Sequence, residues 1–349
     1  MSVSSRSSRG FRLEVVRPSD VGPADRAAWE QICAGDPRLA GPFLTPAFAD
    51  AVGAVRRDCR IAVITGADDR RAYLGFHADR GGAGRPLGRK LADHQALVAQ
   101  PGTVGDAQEL VRACGLRNLA FDHLVAGDEL FAPYVSAVEQ ASRVDLRLPG
   151  VEPPKEAALK LRRLERRHGV RFTWHDEDPL VLATLLRWKS EQYRRTGELD
   201  ITRRRWVVEL LERLVTAAPA PLAPVMSTLR DDQGTIVAVH LGLRSGAFLH
   251  SWFPAYDPEL HKLSPGLALL ALVIEHAPAE GVDIVDLGKG AEGYKTRFAN
   301  ATAPVATAMV PAGRLGATTA RAAAGGQALL LRTPLSARVN RLRRRIQIG

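Results

Sequence analysis

Cysteine is nearly absent: Cys33, Cys59 and Cys114 are the only three in 349 residues, and none stands in a paired spacing such as C-x-x-C. That scarcity argues against a disulfide framework or a cysteine zinc site and for buried thiols in a reducing compartment. The chain also lacks any run of about 18 apolar residues, the length a membrane-spanning helix needs. Residues 1–10 are rich in Ser and Arg, have no apolar core of the signal-peptide kind, and are expected to be disordered. These absences predict a cytoplasmic protein. Missing too are G-x-S-x-G, a Walker loop and H-E-x-x-H, which removes a serine hydrolase, a P-loop nucleotidase and a zinc protease. No metal site is expected.

Acidic residues are missing from one whole region. From Gly313 to Gly349 there are eight arginines and no Asp, Glu or Lys. Taking those eight from the net charge of +10 leaves only +2 for the rest of the chain. The basicity therefore belongs to an appendage, residues 313–349, expected to be poorly ordered. It gives no case for a nucleic-acid-binding fold, and its expected partner is an anionic membrane surface, with the protein peripheral at the inner face.

What is present is an alternation of strands and helices. Phe11–Val16 reads as a strand and Ala24–Cys33 as a helix. Thr45-Pro46 opens a second helix with a capping threonine and a first-turn proline. Ile61–Thr65 and Ala72–His77 read as a hairpin, followed by a helix near Ala107–Cys114 and a strand at Asn118–Leu124. The turn-rich segment Leu148-Pro-Gly-Val-Glu-Pro-Pro154 divides this first half, 11–150, from a second, 151–312. Lys155–His168 then forms a helix with one narrow apolar stripe and a basic remainder. That face is either solvated or a cationic wall for an anionic donor, sugar phosphate or RNA. Helices at Pro179–Arg194 and Thr202–Val215 precede strands at Val225–Leu229, Ile236–Leu243 and Ala247–Phe253. Ser264-Pro265 starts a long apolar helix, and Pro304–Val310 closes the series.

The chemistry-bearing residues cluster in one stretch, Asp283-Ile-Val-Asp-Leu-Gly-Lys-Gly-Ala-Glu-Gly-Tyr-Lys-Thr-Arg-Phe298. A short branched apolar run is followed by Asp286, Lys289, Glu292, Tyr294 and Lys295, at the carboxyl end of a strand, where open α/β sheets carry their sites. The helix is expected to begin near Ala291. Gly288 to Gly293 also fits G-x-G-x-x-G, but no Asp or Glu follows Glu292 anywhere, so the ribose ligand of a dinucleotide site is lacking.

The run from Asp286 to Phe298 resembles the signature of the GNAT-type acyltransferases of the CelD-like group, relatives of the FemABX peptidyltransferases. Trp252-Phe-Pro-Ala-Tyr-Asp-Pro-Glu259 and Ser264-Pro-Gly-Leu-Ala-Leu-Leu270 match the same family, and looser similarity covers roughly residues 10 to 300. The resemblance implies an α/β (α+β) fold of two GNAT-like mixed-sheet halves packed together, the acyl-CoA N-acyltransferase fold. It implies an N-acyltransferase that takes acyl-CoA, such as acetyl-CoA, as co-substrate and acts on an amine of a sugar, polysaccharide or cell-envelope precursor. Two alternatives stand beside it: a Fem-like transferase using aminoacyl-tRNA, and a non-catalytic accessory protein of exopolysaccharide synthesis.

On that reading Tyr294 matches the tyrosine that protonates the departing thiolate, a task suited to a phenol of pKa about 10. Lys295 would polarise the acyl carbonyl or clamp the acceptor. Glu292 or His240 would accept the amine proton, although a histidine among valines equally suits a satisfied core. Phe253, Lys262, Ser264 and Gly266 are expected at the donor, with amides at a helix start meeting its pyrophosphate. The turn lacks the Q/R-x-x-G-x-G/A loop of typical GNAT enzymes, and Pro265 removes one donor. Asp93, His94, Trp252 and Lys289 are expected at the acceptor, the first two in a loop that otherwise reads as an exposed turn.

Overall fold

The computed structural model describes residues 4–8, 10–290 and 293–313. The chain divides into two compact units, one comprising residues 1–139 with those from Pro304 onward, the other Gln140–Ala303. Both are built from a sheet with helices, the mixed α/β class that the element pattern predicts. Glu292 and residues 314–349 of the basic tail lie outside the described residues.

The first unit begins with β1 (Ser4–Ser8), β2 (Phe11–Val16) and α1 (Pro23–Gly35), β1 pairing antiparallel with β2. A strand at Ser4–Ser8 replaces the disorder expected of residues 1–10; the adjoining edge of β2 supplies the backbone partners that composition does not reveal. There follow α2 (Pro46–Val55), β3 (Cys59–Gly66), β4 (Arg71–Ala78), β5 (Ala83–Pro86), β6 (Val98–Ala99), α3 (Ala107–Ala113) and β7 (Asn118–Val125). The Thr45 hydroxyl accepts the Phe48 N–H at 3.1 Å, the cap that Thr45-Pro46 foretells. This unit's core includes Leu13, Ile64, Leu74, Leu110, Leu119 and Phe131.

Strand β8 (Val135–Asp145) carries the chain into the second unit. Its sequence, with few apolar residues and a mostly exposed first half, gives no strand pattern. Next come α4 (Lys155–His168), β9 (Arg171–Thr173), α5 (Pro179–Thr196), α6 (Arg205–Ala217), β10 (Leu222–Arg230), β11 (Ile236–Ser245), β12 (Phe248–Tyr256), α7 (Pro265–His276), β13 (Ile284–Lys289) and the single turn α8 (Lys295–Phe298); β14 (Ala301–Pro311) returns to the first unit and pairs with β7. The strand order is β8-β13-β12-β11-β10-β9. All neighbours are antiparallel except β12 and β13, which run parallel. Apolar residues of α7, with Ala157 and Leu164 of α4, pack on Val225, Leu249 and Val285 to form the core.

The parallel pair sets up the site. β12 and β13 match only at Phe248↔Ile284, Leu249↔Val285 and His250↔Asp286; no further pairing joins them. At that limit Asp286 is fully buried. Its carboxylate accepts Arg143 Nε at 2.7 Å and the Gly288 N–H at 2.8 Å, and lies 3.2 Å from His250 Nδ1. Asp286 thereby orders the loop after it, and Gly288 with φ +77° makes the turn that brings its amide there. Removing one member of a buried ion pair strands its partners, typically at about 3–5 kcal/mol. We predict a loss of that size for Asp286→Ala by urea denaturation; a cost under about 1 kcal/mol would show that this network does not hold the strands.

Candidate acyl-transfer site

Beyond the point where β12 leaves β13, a cavity of about 360 Å³ opens in the second unit. Its walls come from α5 (Gln192), β11 (Val239, His240), β12 (Ser251, Pro254, Tyr256), the turn into α7 (His261, Ser264, Gly266), apolar α7 residues, and Tyr294. That volume lies near the lower end of the range for small-ligand sites.

His240 is where the local geometry departs from a plain hairpin. In the β11–β12 ladder, Leu241 opposes Phe253 and Gly242 opposes Ser251, so Trp252 is an extra, bulged residue. Such bulges bend a strand and re-aim its side chains. Here Ser251 meets His240, with Oγ 2.8 Å from Nε2. Gly242 is needed beside them, because a Cβ there would come within 2.7 Å of Leu249 and 3.1 Å of the His240 ring. The imidazole is 2% exposed and its Nδ1 has no hydrogen-bond partner. Burial, with His250 nearby, pushes its pKa down to about 4, so the ring is neutral at pH 7.

Tyr294 caps α8, its carbonyl accepting the N–H groups of Arg297 and Phe298 at 3.1 and 3.3 Å, while Phe298 is buried in the core and fixes the turn. The single turn runs Lys295–Phe298, and the start expected near Ala291 lies outside the described residues. At α7 the helix begins at Pro265 as expected, but Ser264 is left-handed (φ 54°) and makes no side-chain cap; its carbonyl accepts the Leu267 N–H instead. Gly266 faces Tyr256, whose ring would lie 3.2 Å from an added Cβ.

Of the residues singled out in sequence, His240, Ser264, Gly266 and Tyr294 share this cavity. Others do not line it. Lys295 is buried and its ammonium donates to the Lys289 carbonyl at 2.9 Å, tying the loop after β13 to its own helix. Phe253 is a buried core residue, and Trp252, the bulge, leans on it with ring centroids 5.0 Å apart. Lys262 is exposed, its carbonyl 3.4 Å from Lys160 Nζ of α4. Asp93 and His94 belong to the first unit: Asp93 lies 3.6 Å from His123 Nε2, and His94 is buried, not in an exposed turn, beside Phe43. Sequence reasoning missed Ser251, Tyr256, His261 and Gln192. Tyr256 stood in the quoted family-like run, and Ser251 directly before it; Gln192 carries no signal beyond its place on α5.

Residues 155–296 match the family model described as an acetyltransferase (GNAT) domain, so the second unit carries a GNAT acetyltransferase-like domain. Solved structures share the fold over most of the chain. FemX matches with TM-score 0.55 and 10% identity, over 84% of this chain and 97% of that one. L-PGS from Bacillus licheniformis gives 0.53 and 12%, over 87% and 96%. A conserved protein of unknown function from Bacteroides thetaiotaomicron gives 0.51 and 14%, over 83% and 98%. No curated protein matches the sequence. Among the described residues no helix is long and apolar enough to cross a membrane.

The depressed His240 pKa makes stability depend on pH. The unfolded histidine binds a proton near pH 6.5 and the folded one only near 4, so the unfolded state holds more protons between them. Stability is then full above about pH 6.5 and falls as the pH drops toward 4. Wild type should lose on the order of 3 kcal/mol more than His240→Gln between pH 7.5 and 4, read by urea denaturation. Parallel pH curves would mean that the ring is not buried in its neutral form.

Proposed function

We propose that the chain is an N-acyltransferase that moves an acyl group from acyl-CoA to an amine. The observation that carries this reading is the neutral, buried His240 with an unpartnered Nδ1, in one cavity with Tyr294. If Nε2–H donates to Ser251 Oγ, Nδ1 keeps its lone pair and is a base. The amine nitrogen attacks the thioester carbon, forming the C–N bond; the resulting ammonium is acidic enough to give its proton even to a weak base. The C–S bond then breaks, and the Tyr294 hydroxyl supplies the proton that the thiolate takes.

The donor fits the surroundings. Among the described residues β12 pairs with β13 no further than His250, so the edge beyond it would suit a ligand lying along it as a strand would. The Gly266 N–H at the start of α7, Lys262, and the exposed arginines of α4 are suited to its phosphates. Glu292 remains a second candidate base. The acceptor is an amine of a sugar or cell-envelope precursor, as the CelD-like resemblance implies, and the Arg-rich tail suits an anionic membrane face. One competing donor is favoured by a specific feature: the exposed Arg162, Arg163, Arg166 and Arg167 of α4 would also suit aminoacyl-tRNA.

The test is release of CoA thiol from acetyl-CoA with a panel of amines, run beside aminoacyl-tRNA as donor. Tyr294→Phe and His240→Gln should each lower kcat by about 10²–10⁴ while acetyl-CoA affinity holds. Wild-type turnover by Tyr294→Phe with chemistry rate-limiting, or transfer from aminoacyl-tRNA alone, would overturn this assignment.

A further inference from the structure

Lys189 is a buried cation that the reaction above leaves unused. It lies in the middle of α5, only 8% exposed, whereas lysines are almost never buried without a partner. Its Nζ donates to Gln192 Oε1 at 3.1 Å and sits 5.5 Å from the centre of the Tyr193 ring. Burial pushes its pKa down to about 8 against the pull of Glu198, so it still carries its charge at neutral pH.

The partner it holds is a wall of the cavity. An ammonium has donors only, so Gln192 must turn its amide oxygen toward Lys189. Gln192 lines the cavity, and its amide nitrogen, with two N–H donors, is the end of the amide that Lys189 does not occupy. Among the described residues lining the cavity there is no carboxylate to oppose an anion or attract a second cation. An acceptor that is merely a hydrocarbon amine leaves those donors unpaired; one that also bears an anionic oxygen satisfies them.

We propose that Gln192, oriented by Lys189, binds an anionic oxygen of the acceptor, a carboxylate or phosphate, so that the preferred substrates are amines carrying such a group. This rests on the acyltransferase reading for the word acceptor, not for the anion site itself. Gln192 touches the substrate, and Lys189 is a positioning residue. A charge-assisted bond replaced by a desolvated, unpaired amide is worth roughly tenfold or more in affinity.

The test uses two matched probe pairs in ligand-observed NMR: 4-aminobutyrate against butylamine, and phosphoethanolamine against ethanolamine. Acetyl-CoA binding is followed by calorimetry on the same full-length proteins. Wild type should bind the anionic member of each pair at least about tenfold more tightly. Gln192→Leu should erase that preference and Gln192→Glu reverse it, with acetyl-CoA affinity unchanged in both. Lys189→Met keeps the packing but frees the amide to rotate, and should cost most of the preference; Lys189→Arg, which keeps a donor, should restore it. No preference in wild type, or one that survives Gln192→Leu, overturns the proposal. Loss of acetyl-CoA affinity in Gln192→Leu with the amine preference intact also overturns it, because Gln192 would then serve the donor. An anion preference in a wild type that binds no acetyl-CoA would support the oxyanion site and remove acetyl-CoA as the donor.

Discussion

A fully buried carboxylate in a sheet demands donors, and the arrangement of the second unit follows from how Asp286 obtains them. Arg143 reaches it from β8, His250 from β12, and the Gly288 amide from the turn directly after it. Three stretches of chain are thereby fixed at one depth. That depth is also where β12 and β13 cease to pair, and the β12 residues just past it, Ser251, Pro254 and Tyr256, line the cavity. An apolar residue in its place would leave the guanidinium and the turn amide without partners. The cost of desolvating those groups is why the opening of the strands is a fixed feature and not a loosely held edge.

Two further buried groups owe their state to the same lack of water. His240 is kept neutral and Lys189 is brought near the point of losing its proton, each by desolvation. Their difference lies in what accompanies them. His240 has a hydroxyl on one nitrogen and nothing on the other; Lys189 has the Gln192 amide and an aromatic ring. His240 keeps a buried nitrogen without a partner, and Lys189 holds the amide of a residue that lines the cavity. A base and an oxyanion contact on different walls are what a site for amines with an acidic substituent would hold.

The sequence made the framework plain wherever local chemistry decides it. Thr45-Pro46 and Ser264-Pro265 mark helix starts, and Val207, Leu210, Leu211 and Leu214, spaced along one face and buried, identify α6. It did not show β1, β8 or β9, since those strands draw their stability from neighbours and not from a pattern of their own. Of the residues singled out in sequence, Tyr294 and Gly266 stand beside helix starts and His240 interrupts an apolar strand, and all three line the cavity. Lys295 misled: a lysine next to that tyrosine suggested chemistry, whereas a nearby carbonyl, which no one-dimensional pattern reveals, takes its ammonium. Ser251 became a partner of His240 only through the bulge at Trp252, a register change that spacing along one strand cannot disclose.

Acyl transfer in this cavity requires the reactive end of the donor to lie there. A crystal structure with acetyl-CoA bound would locate it directly. The thioester should rest in the cavity between Tyr294 and His240, with the chain behind it running along the unpaired edge of β12. A thioester lodged elsewhere, or turned with its sulfur away from Tyr294, would contradict the assignment of this cavity as the place of acyl transfer.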